Sequence, residues 1–177
     1  QTVMALIPAR AGSKRQLRKN FVDLCGKPLV SWTIETALRS EIFSRIVLSS
    51  DAPEARHIAD QYGICFHDRS LELSTDNASI MDLFRSLVDT NILIEPLTML
   101  LQPTSPLRTT KDIDGAIESF RSSGAESLIS VHSVSEHPFE FLEHVKDGWR
   151  YLRKPNQLSM QRQDYPDNYF FINGAIY

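Results

Sequence analysis

Short apolar runs alternate with amphipathic helical stripes through most of this chain, and that alternation leaves few folds open. Residues 2–8 (TVMALIP) form a nearly continuous apolar run that breaks at Pro8 into a basic, glycine-containing segment, as a buried central strand does at its carboxyl end. Further short strands are predicted at 45–49 (RIVLS), 64–67, 97–101 and 127–131. Between them, Leu29, Trp32, Ile34, Ala37 and Leu38 make one apolar helical face over 29–40. Pro53 opens a helix that runs to Tyr62, where Gly63 is placed to end it. Ile80, Leu83, Phe84, Leu87 and Val88 make a third stripe. A fourth follows Thr110, with Asp112 and Asp114 near its amino end, where the helix dipole favours acids, and it stops near Gly124. Strand and helix in this order predict an α/β fold, a mostly parallel sheet with helices on both faces. In such a sheet ligands bind at the carboxyl ends of the strands, where the loops after Pro8, Ser49 and Leu101 gather.

After His137 the pattern changes. Phe139, Phe141 and Leu142, then Asp147-Gly148 ahead of Trp149, read as a hairpin in a small β-rich insertion, and residues 169–172 read as a buried strand. With 42% hydrophobic residues, residues 1–177 are expected to form one domain, with further sequence expected beyond Tyr177. A net charge of −3 gives no general attraction to nucleic acid or to an anionic membrane. No apolar run approaches the length that spans a bilayer, and the start of the chain lacks the regions of a signal peptide. Cys25 and Cys65 are too few for a disulfide framework and have no zinc spacing, so a cytoplasmic protein is expected. The five histidines form no metal or triad pattern; His67 and His137, at strand ends, read as structural.

Charge is concentrated after the first strand. Residues 9–20 read ARAGSKRQLRKN, placing Arg10, Lys14, Arg15, Arg18 and Lys19 in one loop of a slightly acidic chain. Gly12 permits close backbone approach, Ser13 and nearby N–H groups can donate to phosphate oxygens, and the cations can neutralise them. The competing reading is a solvated basic loop. The segment has neither the GxxxxGK[ST] of phosphate-binding kinases nor the GxGxxG of dinucleotide-binding folds.

IPARAGSKRQLRKN resembles the IPARxGSKxxxxKN signature of the CMP-sialic acid synthetases, the acylneuraminate cytidylyltransferases. Gly26-Lys27-Pro28-Leu29, LQPTSPLR at 101–108 and RQDYPDNYFFINGAIY at 162–177 follow in the family's order, so the resemblance covers essentially the whole chain. It implies a Rossmann-like nucleotidyltransferase fold. It further implies that Arg10, Ser13, Lys14, Lys19 and Asn20 contact CTP, with Lys19 and Arg10 opposing charge on the α-phosphoryl group, a role worth on the order of 3 kcal/mol for one good donor. Arg69, Ala78 and Ile80 match a second nucleotide contact, though Ile80 replaces a small polar residue of some relatives and equally fits a helix core. Gln102 resembles the glutamine that contacts the sugar acid; Thr104, Ser105 and Arg108 in the same turn bind sugar or cap the following helix. Arg162 resembles an arginine near the substrates, against the alternative of a surface pair with Asp164 or Asp167. Tyr169 and Asn173 belong to the strand that closes the sugar site.

The 3-deoxy-manno-octulosonate cytidylyltransferases show QGDEP where this chain has QPTSP, with no Asp between Gln102 and Arg108, so the resemblance is nearer the sialic, legionaminic and pseudaminic branch. The reaction it implies is attack of the anomeric hydroxyl of a nonulosonic acid on the α-phosphorus of CTP, with release of pyrophosphate. Mg2+ is the expected ion, held by two aspartates that the family places beyond the NGAIY segment, and a homodimer is expected. CMP transfer to another acidic sugar, or a nucleotide-binding homologue without turnover, are the competing functions.

Overall fold

The computed structural model describes residues 2–12, 17–75, 77–93, 95–153, 161–166 and 168–177. These fall into two compact units, Gln1–Ile129 with Gly174–Tyr177, and Ser130–Asn173.

The first unit is built on β1 (Val3–Pro8), whose residues Val3 to Ile7 are fully buried. After a small hairpin of β2 (Asp23–Leu24) and β3 (Lys27–Pro28) come α1 (Leu29–Ser40), β4 (Phe43–Ser50), α2 (Pro53–Tyr62), β5 (Cys65–Asp68), α3 (Ile80–Asp89), β6 (Leu97–Leu100) and α4 (Thr110–Ser123). The four long strands form a parallel sheet in the order β5-β4-β1-β6. Successive side chains of β1 point to opposite faces. Val3, Ala5 and Ile7 join a cluster with Val30 and Ile34 of α1, Ala55 and Ile58 of α2, and Ile113 and Ile117 of α4. Met4 and Leu6 instead meet Leu83 and Leu87 of α3. The near-continuous apolar run is thus explained by helices on both faces, as expected for a parallel strand.

Helix ends follow local chemistry. Gly63 and Gly124 end α2 and α4 in the left-handed conformation, at φ 64° and 65°. Ser79 and Asp82 form a reciprocal capping box at the start of α3, and Thr109 and Asp112 form one at α4. The final residues return to the sheet antiparallel to β6: Leu100 and Tyr177 exchange both backbone hydrogen bonds, at 2.9 and 3.2 Å, and Ile176 pairs with Leu101.

The second unit contains β7 (Val131–Ser133), β8 (Leu142–Val145), β9 (Gly148–Tyr151) and β10 (Phe170–Ile172). The β8–β9 hairpin lies where expected, with Lys146-Asp147 as its turn and Gly148 beginning β9 at φ 129°. Two expectations are corrected. The strand expected at 127–131 begins only at Val131, where β7 finds its partner in β10. Residues 170–172, expected to be buried, are exposed, because β7 and β10 form a sheet two strands wide and this unit has no α-helix among its described residues to cover them.

Candidate functional site

Strand order reverses beside β1: the chain passes to β4 and β5 on one side, then returns to place β6 on the other. Loops leaving β1 and β6 therefore part from each other and leave a crevice at their carboxyl ends. A cavity of about 240 Å³ lies there, lined by Arg10, Lys19, Asn20, Arg69, Ala78, Ile80, Gln102 and Thr104, together with Pro8, Gly12 and Pro103. Eight residues singled out from the sequence thus meet on one cavity.

The first loop is held from two sides. Ala9 donates its N–H to the Ser49 carbonyl at 2.9 Å, Ser50 Oγ donates to the Ala9 carbonyl at 2.5 Å, and Ala11 N–H donates to Asp51 Oδ1 at 2.8 Å. On the other side Asn20, buried in a turn at Lys19–Phe21, donates from Nδ2 to the Arg10 carbonyl at 3.1 Å, and the Arg10 guanidinium donates to the Thr75 carbonyl at 3.0 Å. Arg18 takes the left-handed conformation at φ 54°, returns its N–H to the Ala11 carbonyl and pairs with Glu54, so this loop cation serves the scaffold. Ser13 and Lys14 lie outside the described residues.

Arg69 is the most buried cation of the cavity, at 7% exposure. Its Nε donates to the Leu73 carbonyl at 2.8 Å, its only side-chain hydrogen bond among the described residues. Burial pushes the guanidinium below its ordinary range, an effect Asp51 opposes and Arg10 reinforces. Arginine stays protonated through such a shift, so the cavity keeps a desolvated positive charge that an anionic or strongly polar ligand relieves.

On the β6 side, Gln102 follows the strand and Thr104 lies in the adjoining turn. The helix cap is Thr109, so capping is not the task of Thr104 or Ser105; Ser105 closes the turn by donating its N–H to the Gln102 carbonyl at 3.3 Å. Arg108 is structural here. Its guanidinium donates to the Ala175 carbonyl at 2.9 Å and the Gln102 carbonyl at 2.8 Å, and reaches Thr33 Oγ1 at 3.5 Å; burial pushes its pKa down to about 10. It thereby ties the backbone of Gln102 to α1 and to the returning chain. Gly174 at φ 74° lies against that glutamine, since a Cβ there would stand 3.6 Å from Gln102 Oε1.

Arg162, Tyr169 and Asn173 belong to the second unit. Arg162 begins a short turn, Arg162–Asp164; Asn173 Oδ1 accepts from Ser130 Oγ at 2.6 Å; Tyr169 joins an aromatic group with His137 and Phe139, with the Arg153 guanidinium 5.2 Å over its ring. This unit has its own cavity of about 460 Å³, lined by His137, Gln163, Tyr165 and Tyr169 among others.

Among the described residues no group of three or more His, Cys, Asp or Glu side chains is placed to hold a metal ion. Sequence reasoning passed over Ser50 and Asp51, which brace the loop, and a larger apolar cavity of about 550 Å³ lined by α3, β6 and α4, which shares Pro8, Ile80 and Gln102 with the polar one. The motif Ser49-Ser50-Asp51 at the end of an apolar strand was the available signal.

A parallel sheet carrying a cation-lined cavity at its switch point defines an α/β protein with a candidate site for an anionic ligand. The chain belongs to the cytidylyltransferase family, whose model matches residues 4–171. It is 34% identical to an N-acylneuraminate cytidylyltransferase of Escherichia coli over 145 residues, 82% of this chain and 34% of that protein. It is 38% identical to a CMP-N,N'-diacetyllegionaminic acid synthase of Legionella pneumophila over 141 residues, 77% of this chain and 60% of that protein. The chain thus spans between a third and three fifths of these relatives' lengths. Among solved structures, a CMP:2-keto-3-deoxy-manno-octonic acid synthetase complexed with CTP superposes with a TM-score of 0.59 at 22% identity, over 75% of this chain and 52% of that one, a likeness of fold.

Proposed function

We propose that this chain carries the nucleotide site of an enzyme that transfers CMP from CTP to the anomeric hydroxyl of a sialic-acid-like nonulosonic acid. The observation that carries the proposal is the convergence of Arg10, Lys19 and Arg69 with Asn20 on one cavity at the switch point. Family membership and the names of the two curated relatives support the reaction and the sugar class.

In this reading the anomeric hydroxyl gives up its proton to solvent as its oxygen bonds to the α-phosphorus, the bond to the bridging β-phosphate oxygen breaks, and pyrophosphate leaves with that electron pair. No protein nucleophile is needed; positioning and charge stabilisation carry the rate. Lys19 and Arg10 serve the α-phosphoryl charge, Ser13 and Lys14 the remaining phosphates, Asn20 the nucleotide or the reacting phosphate, and Arg69 and the Ala78 backbone the nucleotide. Ile80 offers an apolar face. Gln102, Thr104 and Ser105 serve the sugar acid; for Tyr169 and Asn173 toward the sugar acid, and Arg162 toward the substrates, the role rests on the resemblance alone. Magnesium is proposed on the resemblance alone; it would supply charge neutralisation for the triphosphate, whose hard oxygens suit it. A homodimer is proposed, supported by exposed Phe170, Phe171 and Ile172 on β10. A cytoplasmic setting is supported by the two free, exposed cysteines.

The test is calorimetric binding of CTP against the other nucleoside triphosphates, followed by pyrophosphate release with magnesium and a panel of nonulosonic acids plus 3-deoxy-manno-octulosonate. Preferential CTP binding and release with a nonulosonic acid are expected. Lys19→Ala is expected to lower turnover about 100-fold. Absence of CTP binding overturns the nucleotide site; binding without release for any acid overturns the transferase.

A further inference from the structure

The segment from Ala9 to Ala11 leaves β1 with its backbone satisfied alternately on two sides. Ala9 and Ala11 are held by Ser49, Ser50 and Asp51, the last residues of β4 and the one that follows. Arg10, between them, is held by Asn20 and Thr75 and lines the cavity. Pairing of β1 with β4 sets this phase, because Pro8 lies in register with Ser49 and the two chains leave the sheet side by side. Beyond the ladder, continuity depends on a side chain: Asp51 Oδ1 takes the Ala11 N–H that no strand remains to accept, at 2.8 Å.

A carboxylate close to a phosphate-binding cavity opposes an anionic ligand, so its presence calls for a reason of its own. Asp51 also attracts the buried guanidinium of Arg69, just past the end of the neighbouring strand β5. One side chain therefore acts on the loop after β1 and on the cation after β5, two walls of the same cavity. We propose that Asp51 is a positioning residue for nucleotide binding: by accepting the Ala11 N–H it fixes the direction in which Arg10 and Gly12 face the cavity. This rests on the nucleotide-site reading above. The hydrogen bond, not the charge, is the operative feature, which distinguishes Asp51 from a residue that tunes the field of the site.

Asp51→Asn keeps an acceptor oxygen and removes the charge; Asp51→Ala removes both. Amide hydrogen exchange at Ala11, measured without nucleotide, reads the hold on the loop directly, and CTP affinity reads its consequence. The expected result is slow Ala11 exchange and a CTP Kd within about three-fold of the parent for Asp51→Asn. For Asp51→Ala, fast exchange and a Kd about ten-fold weaker are expected, the size of one lost hydrogen bond to a charged group. Unchanged exchange or affinity in Asp51→Ala overturns the proposal, as does an Asp51→Asn variant as weak as Asp51→Ala. If the alanine variant does not fold, Asp51→Asn decides alone: affinity near the parent supports the proposal, and a ten-fold loss overturns it. A parent protein that binds no CTP defeats the nucleotide reading instead, and the exchange measurement still reports on the hold.

Discussion

His67 and Arg69 flank Asp68 at the end of β5, and burial acts on both neighbours. The imidazole meets Ser49 Oγ through Nδ1 at 2.9 Å, and its pKa is lowered by burial first and by the Arg69 charge next, against a smaller pull from Asp68. The folded-state value is below the unfolded one, so the unfolded chain takes up the proton first as pH falls. Stability from this group is therefore complete above about pH 6.5 and is lost as pH falls from there through the folded value. Thermal melts between pH 8 and 5 should show this fall, and His67→Gln should flatten it. Residues such as Arg10, Lys19 and Asn20 were legible as a group because they lie in one loop with a recognisable order. Asp51 was not, because its partner Ala11 is forty positions away and meets it only through the β1–β4 register.

At the level of elements, the helices were read almost to the residue, since apolar spacing and end signals such as Pro53, Gly63 and Gly124 act locally. The capping box of α4 tests one such signal. Thr109 Oγ1 accepts from Asp112 N–H at 3.3 Å, while the Asp112 carboxylate accepts the Thr109 N–H at 2.7 Å, which holds that carboxyl below its ordinary range. Thr109→Ala should cost about 1 kcal/mol, a melting-temperature loss of about 2–4 °C in a chain of this size, measurable by calorimetry. The segment following Gly124 and the strand ending at Ile172 were less legible. An apolar run specifies a strand only together with what pairs with it and what covers it, and neither is written in the run itself.

For the whole molecule, the sheet order and the second unit carry different lessons. Alternation of strand and helix announced a parallel sheet, but only the observed order β5-β4-β1-β6 locates the crevice beside β1. In the second unit the sheet of β7 and β10 is narrower than most that stand alone, and the phenylalanines of β10 are exposed: Phe170 at 58% and Phe171 at 63%. The proposed homodimer should appear in sedimentation velocity as a concentration-dependent dimer, and Phe171→Ser should shift it toward monomer while leaving CTP affinity intact. A monomer at all concentrations would refute it.

The central strand of the sheet precedes both of its flanking strands in the chain. During vectorial synthesis, β1 leaves the ribosome as a wholly apolar segment with neither edge satisfied; β4 supplies the first and β6 the second. At 5–20 residues per second the wait for β6 lasts roughly five to twenty seconds. The arrangement that later creates the crevice thus leaves the central strand with an unpaired edge through much of synthesis.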